Sequence, residues 1–263
     1  MKFARCRVLC AGMPLFVGTA GWTVPRQHLP LFSHIAEDAK LSHLERYATR
    51  LRGLEINSSF HRPHRRATWE RWAAVTPHDF RFAVKVPKTI THNSQLVNAG
   101  ALLQEFFDAA RGLGQKLGPV LIQLPPKLPF DEAIAQEFFT TLRELHNGEV
   151  VLEPRNASWF SASAHRMLQS FQIARVAADP PKGSELAAHP GGWLGLSYWR
   201  LHGSPRTYYS DYDQKWLGAF AEKLKSIGDF STEKQTWIIF DNTALGHAAA
   251  NAVSLYDALR GGT

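Results

Sequence analysis

Residues 150–159 read VVLEPRNASW, and in them an apolar run suited to a buried strand gives way at once to a glutamate, a proline and an arginine. A Val-Val-Leu run buries well in a parallel sheet covered on both faces, whereas Glu153 and Arg155 belong in such a place only if they are paired or meet a ligand. The same punctuation recurs along the chain. LFVGTAGW from Leu15, GLEINSSF from Gly53, FRFAVKVP from Phe80, PVLIQLPP from Pro119, ARVAADPP from Ala174, LSYWRLHG from Leu196 and TWIIFDNT from Thr236 each end an apolar, often β-branched stretch in polar residues. With Val150 onward, that predicts eight strands.

Helical periodicity lies between them. Leu41, Leu44, Ala48 and Leu51 recur every three or four residues, as do Ile134, Phe138, Leu142 and Leu145, and Trp216, Phe220, Leu224 and Ile227. Each set marks one buried helical face. An Ala-rich helix is predicted over about 246–260, with Val253, Tyr256 and Leu259, while GSELAAHPGGW is broken by Gly and Pro and reads as a loop. Eight strand–helix units in this length predict a single-domain α/β chain folded as a TIM-like (β/α)8 barrel over 15–263, with an irregular connection after the sixth strand. A doubly wound sheet is the rival. It usually carries a Gly-rich phosphate turn after its first strand, and GTAGW offers only Gly18 and Gly21.

In such a barrel the strand ends share one mouth, so the closing residues form a site. They are Glu55 and Asn57, Lys85, Gln123, Glu153 with Arg155, Asp179, Arg200 with His202, and Asp241 with Asn242.

Composition sets the outer bounds. The chain has 263 residues and 44% hydrophobic content, enough for a sizeable core, and its 30 Lys+Arg against 23 Asp+Glu leave a formal +7, which favours an anionic ligand or nucleic acid. The two cysteines, Cys6 and Cys10, lie in a basic leader without partners spaced for zinc or iron–sulfur ligation, so no disulfide framework is expected and a cytoplasmic location is. Residues 1–14 lack a convincing cleavage site and read as a ragged leader. No apolar run reaches the roughly 20 residues that span a bilayer.

EINSSFHR, RFAVKVPKTITH, LIQLPP, VLEPRNASWF, ADPP, WRLHG and FDNT, in that order, resemble the signature segments of the DUF72 family, also called YecE-like proteins. The resemblance runs from about Phe16 to Leu259. It implies a TIM-barrel-like fold and carries no function. His61 departs from it, since tyrosine is more usual after the Phe.

The order Glu153, Asp179, His202, Asp241 at four consecutive strand ends also resembles the divalent-metal site of xylose-isomerase-like barrels, whose relatives include sugar epimerases and an abasic-site endonuclease. Oxygen ligands with one imidazole suit Mg, Mn or Zn. Charge weighs the other way: Glu55, Glu153, Asp179 and Asp241 face Lys85, Arg155 and Arg200, nearly self-neutralised, which fits an ion-pair network that presents cations to an anion. Glu55, Lys85, Glu153, Asp179, His202 and Asp241 are the candidate catalytic groups. A Schiff base at Lys85 ranks low, because neighbouring acids would keep the amine charged.

Two loops add candidates. SSFHRPHRRATWERW sets His61, Arg62, His64, Arg65 and Arg66 ahead of a helix, and HGSPRTYYSDYD offers Gly203 as a hinge with Tyr208, Tyr209 and Tyr212 as a stacking lid. His92 can cap a helix or join the mouth, and Trp22 and Trp159 follow strand ends closely enough to line it. The expected ligand-binding set is Asn57, His61, Arg62, Gln123, Arg155, Arg200, Tyr208 and Asn242. Two function classes follow. One is an isomerase or hydrolase acting on a small anionic or phosphorylated ligand, with or without a divalent metal; the other is a nucleic-acid-binding or repair-associated protein using the basic loop after the second strand.

Overall fold

All eight predicted strands form. The computed structural model describes residues 15–32, 41–227 and 234–261, so the leader with Cys6 and Cys10 lies outside the described residues. The strands are β1 (Leu15–Thr19), β2 (Gly53–Ile56), β3 (Arg81–Lys85), β4 (Leu117–Gln123), β5 (Val150–Glu153), β6 (Ile173–Arg175), β7 (Ala177–Asp179), β8 (Gly191–Gly192), β9 (Leu196–Leu201) and β10 (Gln235–Phe240). The sixth predicted strand is split at Val176 into β6 and β7. The irregular connection after it holds one short 3-10 turn, Glu185–Ala188, and the two-residue β8. The helices are α1 (His43–Ala48), α2 (Ser58–His61), α3 (Arg66–Ala74), α4 (Gly100–Ala110), α5 (Glu132–Leu145), α6 (Ala162–Ser170), α7 (Gln214–Ile227) and α8 (His247–Arg260). Local signals start several of them: Ser42 and Glu45 form a capping box at α1, and the Asp131 carboxylate accepts from Ile134 N at 3.0 Å to open α5. No helix among the described residues is long and apolar enough to cross a membrane.

The result is a mixed α/β single domain with its strands in two sheets, ordered β1-β10-β9-β7 and β2-β3-β4-β5-β6-β8. Every pair is parallel except β6 with β8. The expected closed ring is not found as one continuous ladder. Its gaps have identifiable causes. One is the break at Val176. The other lies between β1 and β2, which share a single bridge, Ala20 to Glu55, with Gly21 N donating to Glu55 O at 2.8 Å. Two residues back in that register Thr19 N should reach Gly53 O. Instead the hydroxyl of Tyr47, from α1, accepts from Thr19 N and donates to Gly53 O, both at 2.9 Å. A side chain has entered the ladder and relays its hydrogen bond. The backbones are close here, since a Cβ on Gly18 would stand 2.0 Å from Gly53 O, so residue 18 has to be glycine.

Side chains alternate along each strand and divide the core in two. Val17, Leu54, Val84, Ile122, Leu152, Leu201 and Phe240 face the helices. Ala83, Leu121, Val151, Val176, Tyr198 and Ile239 face inward, with Phe16 and Trp237. Phe16 stacks on Trp237 at 4.5 Å and Trp237 on Tyr198 at 6.1 Å, which makes an aromatic floor. Each such ring contributes on the order of 1.5–3 kcal/mol by leaving water, so the floor is a rigid base for what stands on it.

Candidate functional site

Counting by twos from the inward-facing core residues leads straight to the polar cluster. Ala83 leads to Lys85, Leu121 to Gln123, Val151 to Glu153, Tyr198 to Arg200 and His202, and Ile239 to Asp241, while Gly53, facing Phe16, leads to Glu55. Because successive residues of a strand point to opposite faces, these side chains share one side of the sheets.

Arg200 is the centre, with its side chain 1% exposed. Its Nε and Nη2 donate to the two Glu55 oxygens at 3.0 and 2.7 Å, Nη1 donates to Glu153 Oε2 at 2.6 Å, and Nη2 also reaches Asp241 Oδ2 at 2.9 Å. The Tyr198 hydroxyl donates to Glu55 from the floor at 2.9 Å. His202 lies between two carboxylates, Nδ1 at 3.0 Å from Asp241 Oδ2 and Nε2 at 3.1 Å from Glu153 Oε1. Arg155 closes the set toward solvent, its Nη2 at 3.1 Å from Glu153 Oε1.

These contacts fix the charges. Burial opposes ionisation of Glu153, yet the cations of Arg200, His202 and Arg155 outweigh it and hold the carboxyl well below its usual range. Asp241 is likewise lowered: burial pushes it up, and Arg200 and His202 more than reverse that. Burial works against a charge on His202 too, but Glu153 and Asp241 raise its imidazole above the ordinary value. Arg200, opposed by burial, is driven well above its normal value by Glu55, Glu153 and Asp241.

Lys85 behaves differently. It is 8% exposed and, among the described residues, its ammonium has neither a hydrogen bond nor an ion pair; Nζ lies 4.0 Å over the centre of the Phe60 ring. Burial and then Arg200 bring its pKa down to about 8, while Glu55, Glu153 and Asp241 partly offset them. Ser59 positions the ring, since its hydroxyl reaches Lys85 O at 2.7 Å and Ile56 O at 3.0 Å, tying the start of α2 to the end of β3. His92 stands edge-on to Phe60 with ring centres 5.0 Å apart, and Lys85 and Arg155 help, after burial, to lower its pKa.

The structure thus brings together Glu55, Lys85, Gln123, Glu153, Arg155, Arg200, His202 and Asp241. Asn57 follows β2 at the start of α2, and its buried Oδ1 has no hydrogen-bond partner among the described residues. Tyr208 joins from the loop after β9, its ring edge-on to His202 at 5.8 Å and its hydroxyl beside Arg155.

Other expected members go elsewhere. Asp179 is one step out of phase, on the same side as Ala177, and its carboxylate accepts from the Tyr212 hydroxyl at 2.7 Å in a hollow shared with Trp199, Trp216 and Phe220. Asn242, next to Asp241, also turns away. It donates to Ser210 O at 3.0 Å and Asn251 Oδ1 at 2.8 Å, fastening the 203–212 loop to α8. His61 and Arg62 are exposed and line a separate cavity of about 180 Å³ with Phe60, His64, Trp69 and Phe106. Tyr212 is buried against Trp216 and so anchors the loop it was expected to close. Trp159 donates to Leu128 O at 3.1 Å within the helix-facing core, away from the cluster. Phe60 lies inside the EINSSFHR segment but carried no signal of charge, and Tyr198 carried neither charge nor motif; the two-residue spacing from Arg200 would have found Tyr198.

Glu153, Asp179, His202 and Asp241 therefore do not converge as a ligand set for a divalent ion. No group of three or more His, Cys, Asp or Glu among the described residues is placed to hold one. The carboxylate oxygens at the centre already face the guanidinium of Arg200, which a metal would have to displace.

These features define a class, a single-domain α/β protein of parallel sheets with a buried, charge-balanced cluster at its strand ends. The chain belongs to the family described as "Protein of unknown function DUF72", whose pattern matches residues 16–263. The chain is 23% identical to the UPF0759 protein YunF of Bacillus subtilis, covering 93% of this chain and 94% of that protein. It is 32% identical to the UPF0759 protein YecE of Escherichia coli K12 over 85 residues, 32% of this chain and 31% of that one. Among solved structures, a DUF72 family protein from Enterococcus faecalis V583 superposes with a TM-score of 0.76 at 19% identity, covering 94% of this chain and 95% of that one. Another from Thermotoga maritima superposes with 0.71 at 22% identity, covering 94% and 99%. These likenesses establish the fold.

Proposed function

We propose that the chain is a cytoplasmic enzyme that binds a small anionic or phosphorylated ligand at the mouth of a (β/α)8 barrel and acts on it by proton transfer, the step common to isomerisation and hydrolysis. The barrel reading rests on β6 and β7 being separated by one residue and on the Tyr47 relay between β1 and β2. Both features support a path in which eight strands follow one ring, although the strands pair as two sheets. The cysteine content supports the location.

One observation carries the ligand class: Glu153, Asp241 and Glu55 are all bonded to cations, whereas Lys85 has no anionic partner among the described residues. A buried cation in that position is relieved by an anion that comes to it. Arg155, with a side chain 19% exposed, supplies a planar fork at the rim, and the unpartnered Oδ1 of Asn57 accepts a ligand hydroxyl. Lys85 titrates near working pH, which suits a group that gives and takes a proton. Arg200 and His202 hold the carboxylates in place and act as positioning residues.

The test is the thermal stability of the protein in rising inorganic phosphate, since a ligand bound only by the folded state stabilises it by about 2.7 kcal/mol at a hundred times Kd. The expected result is a saturable rise in wild type that is lost in Arg155→Ala. A flat response in wild type overturns the reading.

A further inference from the structure

We infer that Lys85 is a covalent-catalytic amine whose Nζ adds to the carbonyl carbon of a small anionic aldehyde or ketone and forms an iminium with it. The inference rests on the anion-binding reading above and names the substrate class. Read from sequence alone, this chemistry ranks low because Glu55, Glu153 and Asp241 are expected to pin the ammonium. The tertiary structure removes that objection. Glu55 is taken by Arg200 and Tyr198, Glu153 by Arg200, His202 and Arg155, and Asp241 by Arg200 and His202.

A lysine whose task is to balance those carboxylates would lie against one of them. Lys85 instead faces the Phe60 ring at 4.0 Å, held there by the Ser59 hydroxyl on its own carbonyl, and remains 8% exposed. Its surroundings are the Phe60 ring on one side and the Arg200 cation on the other, with the three carboxylates acting at a distance. Burial and Arg200 bring its pKa to about 8. Half of the side chain is then neutral at that pH, against under about 1% of an ordinary lysine. A desolvated lysine beside a second cation is a recognised way to make a nucleophilic amine.

The step balances without an oxidant or reductant. The amine lone pair forms the C–N bond, and the carbonyl π pair moves to oxygen, which takes up a proton as nitrogen loses one. The carbinolamine hydroxyl then accepts one further proton and leaves as water, and the nitrogen lone pair closes the C=N bond. Amine, carbonyl and one proton become iminium and water. The iminium acidifies the neighbouring C–H, which serves proton-transfer chemistry, and Arg155 holds the ligand's anionic end.

The test uses the intact protein with glyoxylate, a small anionic aldehyde, and sodium cyanoborohydride at about pH 7.5, a pH at which ordinary lysines are almost wholly protonated. Modified lysines are located by peptide mass mapping. The expected result is a carboxymethyl group on Lys85, formed at least about tenfold faster than on any other lysine, saturating in glyoxylate and slowed by inorganic phosphate. Lys85→Arg should carry no adduct at that position. Labelling of Lys85 no faster than of surface lysines, with the phosphate-induced thermal shift still present, overturns the iminium and leaves anion binding standing. Fast labelling that neither saturates nor slows with phosphate, in a protein whose stability ignores phosphate, overturns the anionic substrate class instead.

Discussion

Arg200 and Glu55, 145 residues apart in sequence, are joined by two hydrogen bonds of 3.0 and 2.7 Å, and both side chains are buried. The same guanidinium also serves Glu153 and Asp241, so removing it takes a cation from three buried carboxylates and leaves Glu55 with none. Breaking a buried pair from one side costs about 3–5 kcal/mol. Arg200→Met should lose at least that much in urea unfolding, or fail to fold, whereas Glu55→Gln, which keeps an acceptor for Tyr198, should lose less. Equal stability of Arg200→Met and wild type would show that the network is not structural.

The hydroxyl of Tyr47 stands in for a ladder bond between β1 and β2. Tyr47→Phe leaves Thr19 N and Gly53 O unpaired in the core, at a cost of about 1–3 kcal/mol. Chemical denaturation should report that loss, and hydrogen exchange should quicken at Thr19. An unchanged midpoint would mean that the strands close on each other directly.

Lys85 should trade stability for function. Its folded pKa, about 8, lies below its unfolded value, so the folded state holds fewer protons than the unfolded chain between the two. Stability contributed by this group therefore rises with pH from about 8 toward 10.4, and below that window the buried charge is a cost. Lys85→Met should be about 1–3 kcal/mol more stable than wild type at pH 7, with the difference shrinking by pH 10. A Lys85→Met variant less stable at pH 7 would show that the cation is firmly paired.

The cluster fixes the sign at lower pH. Glu153 and Asp241 are depressed, so the stability they bring is complete above the unfolded carboxyl range, about pH 4, and is lost as pH falls through their lower folded values. His202 is raised, so its contribution is complete below about pH 6.5 and fades as pH climbs through the folded value. His202→Gln should flatten the decline above neutral pH in urea unfolding. An identical decline in both proteins would assign it to another group.

Asp179→Asn should leave the phosphate response of the mouth unchanged, because its carboxylate faces Tyr212 and the helices. The loss of a charged acceptor should still cost about 1 kcal/mol of stability. Loss of the phosphate-induced thermal shift in Asp179→Asn would bring Asp179 back into the site.

Much of this was legible in the sequence. Eight apolar runs ending in polar residues located every strand except the two-residue β8, because a parallel strand covered on both faces must be apolar until it reaches the surface. The residues that converge, from Glu55 to Asp241, were also found by position. Two of the misplaced residues share one physical origin. Asp179 and Asn242 close their strands as visibly as Asp241 does, but a side chain's face is set by alternation, and one step of register sends it to the helices. What only the tertiary structure decided is partnership. Which carboxylate meets Arg200, whether any meets Lys85, and the entry of Tyr47 into a ladder all depend on distances of 3 to 4 Å between residues far apart in the chain, which no local pattern encodes. The charges of the site were therefore written in the sequence, and their pairing, which leaves Lys85 over an aromatic ring without a counterion among the described residues, was settled by the fold.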